Sequence, residues 1–166
     1  MTKSTPINLL LAALDESFHG RAWHGPTLRG SLRGVTERAA AWRPAPNRHS
    51  IWEIVVHAAY WKYAVRARLT GVKRGSFALD GSNWFARPIS SRRWADDIRL
   101  LGDEHRLLRQ AIASLPVRAL DRRLPGRRDT AAYMLRGIAA HDVYHAGQIQ
   151  LLKRLMKSAQ NGGGAV

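Results

Sequence analysis

The chain carries seven histidines and no cysteine, so whatever chemistry its side chains perform rests on imidazoles, carboxylates and hydroxyls. The absence of thiols removes disulfides, thiolate zinc sites, iron–sulfur ligation and a cysteine nucleophile, and leaves any metal to His, Asp or Glu. His141 and His145 stand four positions apart. On a helix that spacing puts both rings on one face, where two nitrogens can converge on one ion. His57 falls on the inner stripe of an earlier helical segment, about midway along it, and a bundle that brings the two helices together adds a third imidazole. Three neutral rings burying their acceptor nitrogens in one cavity are costly unless they share a cation or find donors. Spacing alone therefore leaves two readings open, a divalent metal site and a hydrogen-bonded cluster of core histidines. With three neutral ligands and no carboxylate, a bound divalent ion would keep its double charge and open coordination positions, which suits an anionic guest and Lewis-acid activation.

The neighbours of these histidines carry paired readings. Gln148, three residues after His145, either orients bound water or substrate or hydrogen-bonds a facing helix. Glu53, one turn before His57, is a candidate general base, but Ser50-Ile51-Trp52-Glu53 also reads as a capping box in which its carboxylate reaches back to the Ser50 amide. Gln148 and Glu53 are the catalytic candidates; Trp61 and Tyr144 are candidates for a pocket wall, with core packing as their alternative duty. Asp142 flanks His141 and reads as the partner of an arginine or as a support for a ligand. Gly147 reads as a point of close helix approach, at a cost near 1 kcal/mol relative to Ala. His105, alone on an apolar stripe, reads as a core histidine with its hydrogen bonds satisfied. His24, in Trp23-His24-Gly25-Pro26, reads as a loop residue at solvent or at a cavity mouth, and His19 and His49 as exposed. No G-x-S-x-G nucleophile elbow and no phosphate-cradling glycine motif occurs.

Positioning these side chains requires helices. Thr5-Pro6 is a helix start, with Thr5 as N-cap, and Ile7, Leu11, Leu14 and Phe18 form one stripe over about 6 to 19. Gly20, Gly25, Pro44 and Pro46 punctuate a connector with local helical turns. A second helix begins at Ile51 after the capping box and ends near Leu69, before Gly71. The segment of about 71 to 91 is long for a connection in a compact domain, and its aromatics Phe77, Trp84 and Phe85 favour an ordered flap. A third helix, about 92 to 115, carries Trp94, Ile98, Leu101, His105, Leu108, Ile112 and Leu115 at alternating spacings. The fourth, about 130 to 157 with its cap at Asp129 or Thr130, repeats the spacing through Met134, Ile138, His141, His145, Gln148, Leu152 and Leu155. Four such stripes and two long connections predict an all-α protein, a four-helix bundle with crossovers, in one domain over 1–157 with a disordered tail over 158–166.

The formal net charge of +15 raises nucleic acid as a partner. Its distribution weakens that reading: 22 of the 27 basic residues are Arg, scattered from Arg21 to Arg154 with no block of five. Solvated helix faces explain them equally well. The apolar stretch Ile7 to Leu14 is too short to span a bilayer and lacks signal-peptide flanks, which predicts no membrane association and a cytoplasmic location.

The run His141-Asp142-Val143-Tyr144-His145-Ala146-Gly147-Gln148-Ile149 resembles the last-helix signature of the DinB family. Ser50-Ile51-Trp52-Glu53 followed by His57 resembles that family's second-helix signature, and the similarity spans roughly residues 5 to 157. The resemblance implies a bundle of four main helices in which one His of the second helix and two of the last bind a divalent metal, zinc or nickel. Carried onto this chain, the ligands are His57, His141 and His145. It also implies a metal-dependent enzyme acting on a small molecule, either an S-transferase using a low-molecular-weight thiol in detoxification or stress response, or a metal-assisted hydrolase. Homodimers are implied as well. The alternative is a non-enzymatic DNA-damage or stress-response module that binds nucleic acid through its basic surface.

Overall fold

A computed structural model describes residues 5–71, 76–124 and 128–162. The described residues form six α-helices: α1 (Pro6–Phe18), α2 (Leu28–Ser31), α3 (Glu37–Ala41), α4 (Ile51–Thr70), α5 (Trp94–Ala113) and α6 (Ala131–Gly162). A single 3-10 turn lies at Val117–Ala119, and two isolated bridges are the only extended pairing among these residues. The all-α expectation holds. The four long helices are those the stripes predict, and the short α2 and α3 are the turns of the connector.

Local chemistry sets the helix ends. Thr5 Oγ1 accepts from the Asn8 amide and Pro6 takes the first turn of α1. At α4 both halves of the capping box form, Ser50 Oγ accepting from the Glu53 amide and Glu53 Oε2 from the Ser50 amide, each at 3.2 Å. The helix stops where Gly71 turns left-handed at φ 71°, a conformation that glycine adopts without a Cβ clash. Thr130 Oγ1 accepts from the Tyr133 amide and so caps α6. α5 is shorter at both ends than the stripe predicts. α6 runs to Gly162 rather than 157, because Ala159 and Gln160 are good helix formers and carry it on through an exposed last turn. The rest of the tail, 163–166, lies outside the described residues.

α4 is the centre of the bundle. It packs against α5 and α6, and α1 packs against the same two helices. Ile51 to Ala59 are buried without interruption, as expected of a helix apolar on every side. His57 is thereby carried into the interior. A cluster of Phe18, Leu28, Ile54, Val55, Ala58, Leu101 and Ile149 fills the space between helices at one end, and one of Leu14, Val65, Leu108, Leu135 and Ile138 at the other.

The predicted flap is ordered where it is described. Phe77 and Phe85 pack their rings against Tyr60, with centroids 5.5 and 5.6 Å away. Its return end is held by Asp97, which is fully buried and accepts from Arg87 Nε, Arg92 Nε and Trp52 Nε1 at 2.7–2.8 Å. Two guanidinium donors and an indole compensate one buried carboxylate. The segment is thereby fastened to α4 and α5 on the approach to His57.

Candidate metal centre

The two imidazoles of α6 and the one of α4 meet. His141 Nε2 lies 3.2 Å from His57 Nε2 and 3.0 Å from His145 Nε2. His57 and His145 are buried and His141 is nearly so. The outer face of each ring decides where its proton sits. His57 Nδ1 is 2.8 Å from the Asn83 carbonyl oxygen, which can only accept, so the proton is on Nδ1 and the lone pair is on Nε2. His145 Nδ1 is 2.7 Å from Gln148 Oε1, and the Gln148 amide is oriented by donating to Tyr144 Oη at 3.0 Å. His145 Nε2 is therefore an acceptor as well. His141 Nδ1 is buried with no hydrogen-bond partner among the described residues.

Protons do not relieve this arrangement near neutral pH. Burial lowers the His141 pKa to about 3, aided by the neighbouring His145, His57 and Lys62. Burial lowers His145 to about 4 against the supporting bond from Gln148, and it lowers His57 as well. Three neutral rings thus aim their Nε2 atoms at one point, and one N–H at His141 Nε2 can satisfy only one of its neighbours. A shared cation satisfies all three. Spacings of 3.0 and 3.2 Å are close to the edge of about 3.3 Å in a tetrahedron with metal–nitrogen bonds of about 2.0 Å. The ligand atoms of this trio lie within 4.8 Å of one another, and the site can hold a metal ion.

The other side chains singled out in the sequence take defined places. The Glu53 carboxylate is occupied at the helix cap, with Oε1 on Arg43 and Oε2 on His49 and the Ser50 amide. Burial pushes its carboxyl up, but the bonds from Arg43, Ser50 and His49 outweigh this and hold it below the usual range, which makes it a poor base. Gln148 bonds no facing helix among the described residues; its Oε1 holds His145 of its own helix, and its side chain lines a cavity. Trp61 stands edge-on to His57 and His141 and donates to Asn83 Oδ1 at 3.0 Å, bracing the centre from the side. Tyr144 is largely exposed and serves Gln148. Asp142 pairs with a lysine rather than an arginine: its Oδ2 meets Lys62 Nζ at 2.5 Å, both side chains fully buried. Burial pushes its carboxyl up, and the ammonium opposes the shift. Gly147 is exposed, and nothing lies within 4 Å of where its Cβ would be, so close helix approach does not explain it. His24 is exposed, not at the centre.

Three contributors were missed. Asn83 holds His57 from the flap with a backbone φ of 62°, left-handed and tolerated by Asn. Trp84 lies between His49 and His57, stacked on them at centroid distances of 3.6 and 3.9 Å. His49 thus joins the site through Trp84. The one local hint is that His49 stands four residues before Glu53. A cavity of about 500 Å³ lies against Trp84 and Gln148, the neighbours of His57 and His145, and is lined also by Arg48, His49, Ile54 and Leu151 among others.

A model of the DinB superfamily matches residues 22–149. The chain belongs to the DinB superfamily. The match begins in the connector before α2 and ends one residue after Gln148, so all three histidines of this DinB centre fall inside it. No curated protein and no solved structure matches the chain significantly.

Proposed function

We propose that the chain is a metal-dependent enzyme whose divalent ion, zinc or nickel, is held by His57, His141 and His145. The observation that carries this reading is the convergence of three Nε2 atoms while the Nδ1–H groups of His57 and His145 are tied to Asn83 and Gln148. An ion bound by three neutral rings supplies Lewis acidity that lowers the pKa of a coordinated water or thiol. The protein's own groups do the rest. Asn83 and Gln148 hold two rings in the ligating tautomer, and Trp84 covers one side of His57. The cavity beside them, apolar at Ile54 and Leu151 and cationic at Arg48, takes a small substrate with an apolar body and an anionic or electron-rich end. Transfer of a low-molecular-weight thiol to such a substrate, in detoxification or stress response, is the reaction this reading favours. Hydrolysis is its variant.

The test is metal content on tag-free protein purified without added metal, comparing wild type with His145→Ala. An ion lost in the variant supports the centre, and thiol-transfer and hydrolysis assays then separate the two reactions. Wild-type protein that holds none, and takes up neither zinc nor nickel on titration, overturns it.

A further inference from the structure

A second group of potential ligands lies at the other side of the bundle. Asp15, at the end of α1, His19, its C-cap, and His105 of α5 bring their ligand atoms within 4.8 Å of one another. The spacing of Asp15 and His19 is again one helical turn, and α5 supplies the third group across the interface. His105 is the informative member. It is 4% exposed and stacked on the Phe18 ring at 3.8 Å, yet neither ring nitrogen has a hydrogen-bond partner among the described residues. Nε2 stands 3.4 Å from Asp15 Oδ1, beyond ordinary N–H···O range. A buried imidazole whose Nδ1 has no partner and whose Nε2 has only a long contact to a carboxylate is the exception that calls for a ligand.

We infer that Asp15, His19 and His105 form a second site for a divalent cation, one that prefers imidazole. Two nitrogens and one carboxylate oxygen are a donor set that zinc, nickel and copper accept. The surrounding charge selects against magnesium and calcium. Arg109 Nε already contacts both Asp15 oxygens, at 3.1 and 2.8 Å, and Lys62 Nζ lies 5.0 Å from the centre of the Phe18 ring that carries His105. Binding must therefore come from the nitrogen bonds and not from an excess of negative charge. Bonds of about 2.0–2.2 Å need the donors to close by on the order of 1 Å, a movement that rotation of the exposed His19 ring provides. His19 also lines a cavity of about 720 Å³ together with Arg29, Arg33 and Trp94. The two guanidinium groups of that cavity suit an anion as co-ligand.

The test is zinc binding by equilibrium dialysis of the full chain in wild type, His19→Ala and His145→Ala, with folding checked by circular dichroism. His19 is exposed, so its replacement leaves the core intact. The expected result is two zinc ions per wild-type chain, with the second lost or weakened by at least ~10-fold in His19→Ala and retained in His145→Ala. Magnesium should not compete. One ion that is lost in His145→Ala and unchanged in His19→Ala overturns this inference and leaves the three-histidine centre standing. One ion with the opposite dependence supports the second site and overturns the first. No ion in any variant overturns both.

Discussion

His145 and Gln148 show how one side chain's chemistry depends on its neighbour. Because Gln148 Oε1 accepts from His145 Nδ1, its amide fixes the tautomer that leaves Nε2 free to ligate. Gln148→Leu removes that acceptor while keeping bulk, and should weaken metal binding by about 10–100-fold in competition with a chromogenic chelator; unchanged affinity would mean that the ring needs no such support. Glu53 gives a prediction with a definite sign. Its folded pKa lies below the ordinary value of 4.5, so the folded state binds the proton less readily than the unfolded state. The stability it contributes is complete above 4.5 and is lost as pH falls through the folded pKa. On metal-free protein the gap in urea midpoint between wild type and Glu53→Gln should be constant above that pH and close below it. A gap that widens on acidification would reverse the sign. The imidazole pair His141/His145 was legible because four-residue spacing is a local property, and the capping duty of Glu53 was legible for the same reason. Asn83, Trp84 and the partner of Asp142 were not, since they reach the site across 26 to 80 positions; His105 is the core histidine its stripe indicates, but its long contact to Asp15 of α1 leaves no mark in spacing.

At the scale of elements, α4 and α6 are joined by the fully buried Lys62–Asp142 pair, directly behind His141. Removing one member leaves an uncompensated charge in the interior. Lys62→Met or Asp142→Leu alone should each cost about 3–5 kcal/mol by urea denaturation, whereas the double replacement should recover most of the loss. Single losses near zero would show that water reaches the pair. The helices themselves were the most readable part, because stripes, caps and breaking glycines are properties of neighbouring residues. Where the reading fell short, the cause was tertiary. His57 read as lying on one inner stripe, but α4 is buried all round in its first half, because the flap covers the side that α5 and α6 leave open. α6 outran its stripe because propensity alone sustains a helix end that packs against nothing.

At the scale of the whole molecule, the centre joins α4 to α6 through His57 and to the flap through Asn83. A ligand that requires all of them is bound by the folded chain and not by the unfolded one. At a hundredfold excess over its Kd, such a ligand adds about 2.7 kcal/mol, or about 5–10 °C in Tm for a chain of this size. Calorimetry with and without chelator should show that shift in wild type, and in a His19→Ala background, where the second site is absent, the shift should disappear once His57 or His145 is also replaced by Ala. Equal midpoints in wild type would mean that the three rings hold no ion. The bundle also has an order built into it by the direction of synthesis. Two of the three rings stand at positions 141 and 145, on the last helix. In the order of synthesis α4, the flap and α5 precede α6, so the residues that hold His57 are made before the two rings that complete the centre. Loading of any ion at this centre therefore belongs to the final stage of biogenesis, and a product truncated before residue 141 should leave the ribosome as a partly built bundle without it.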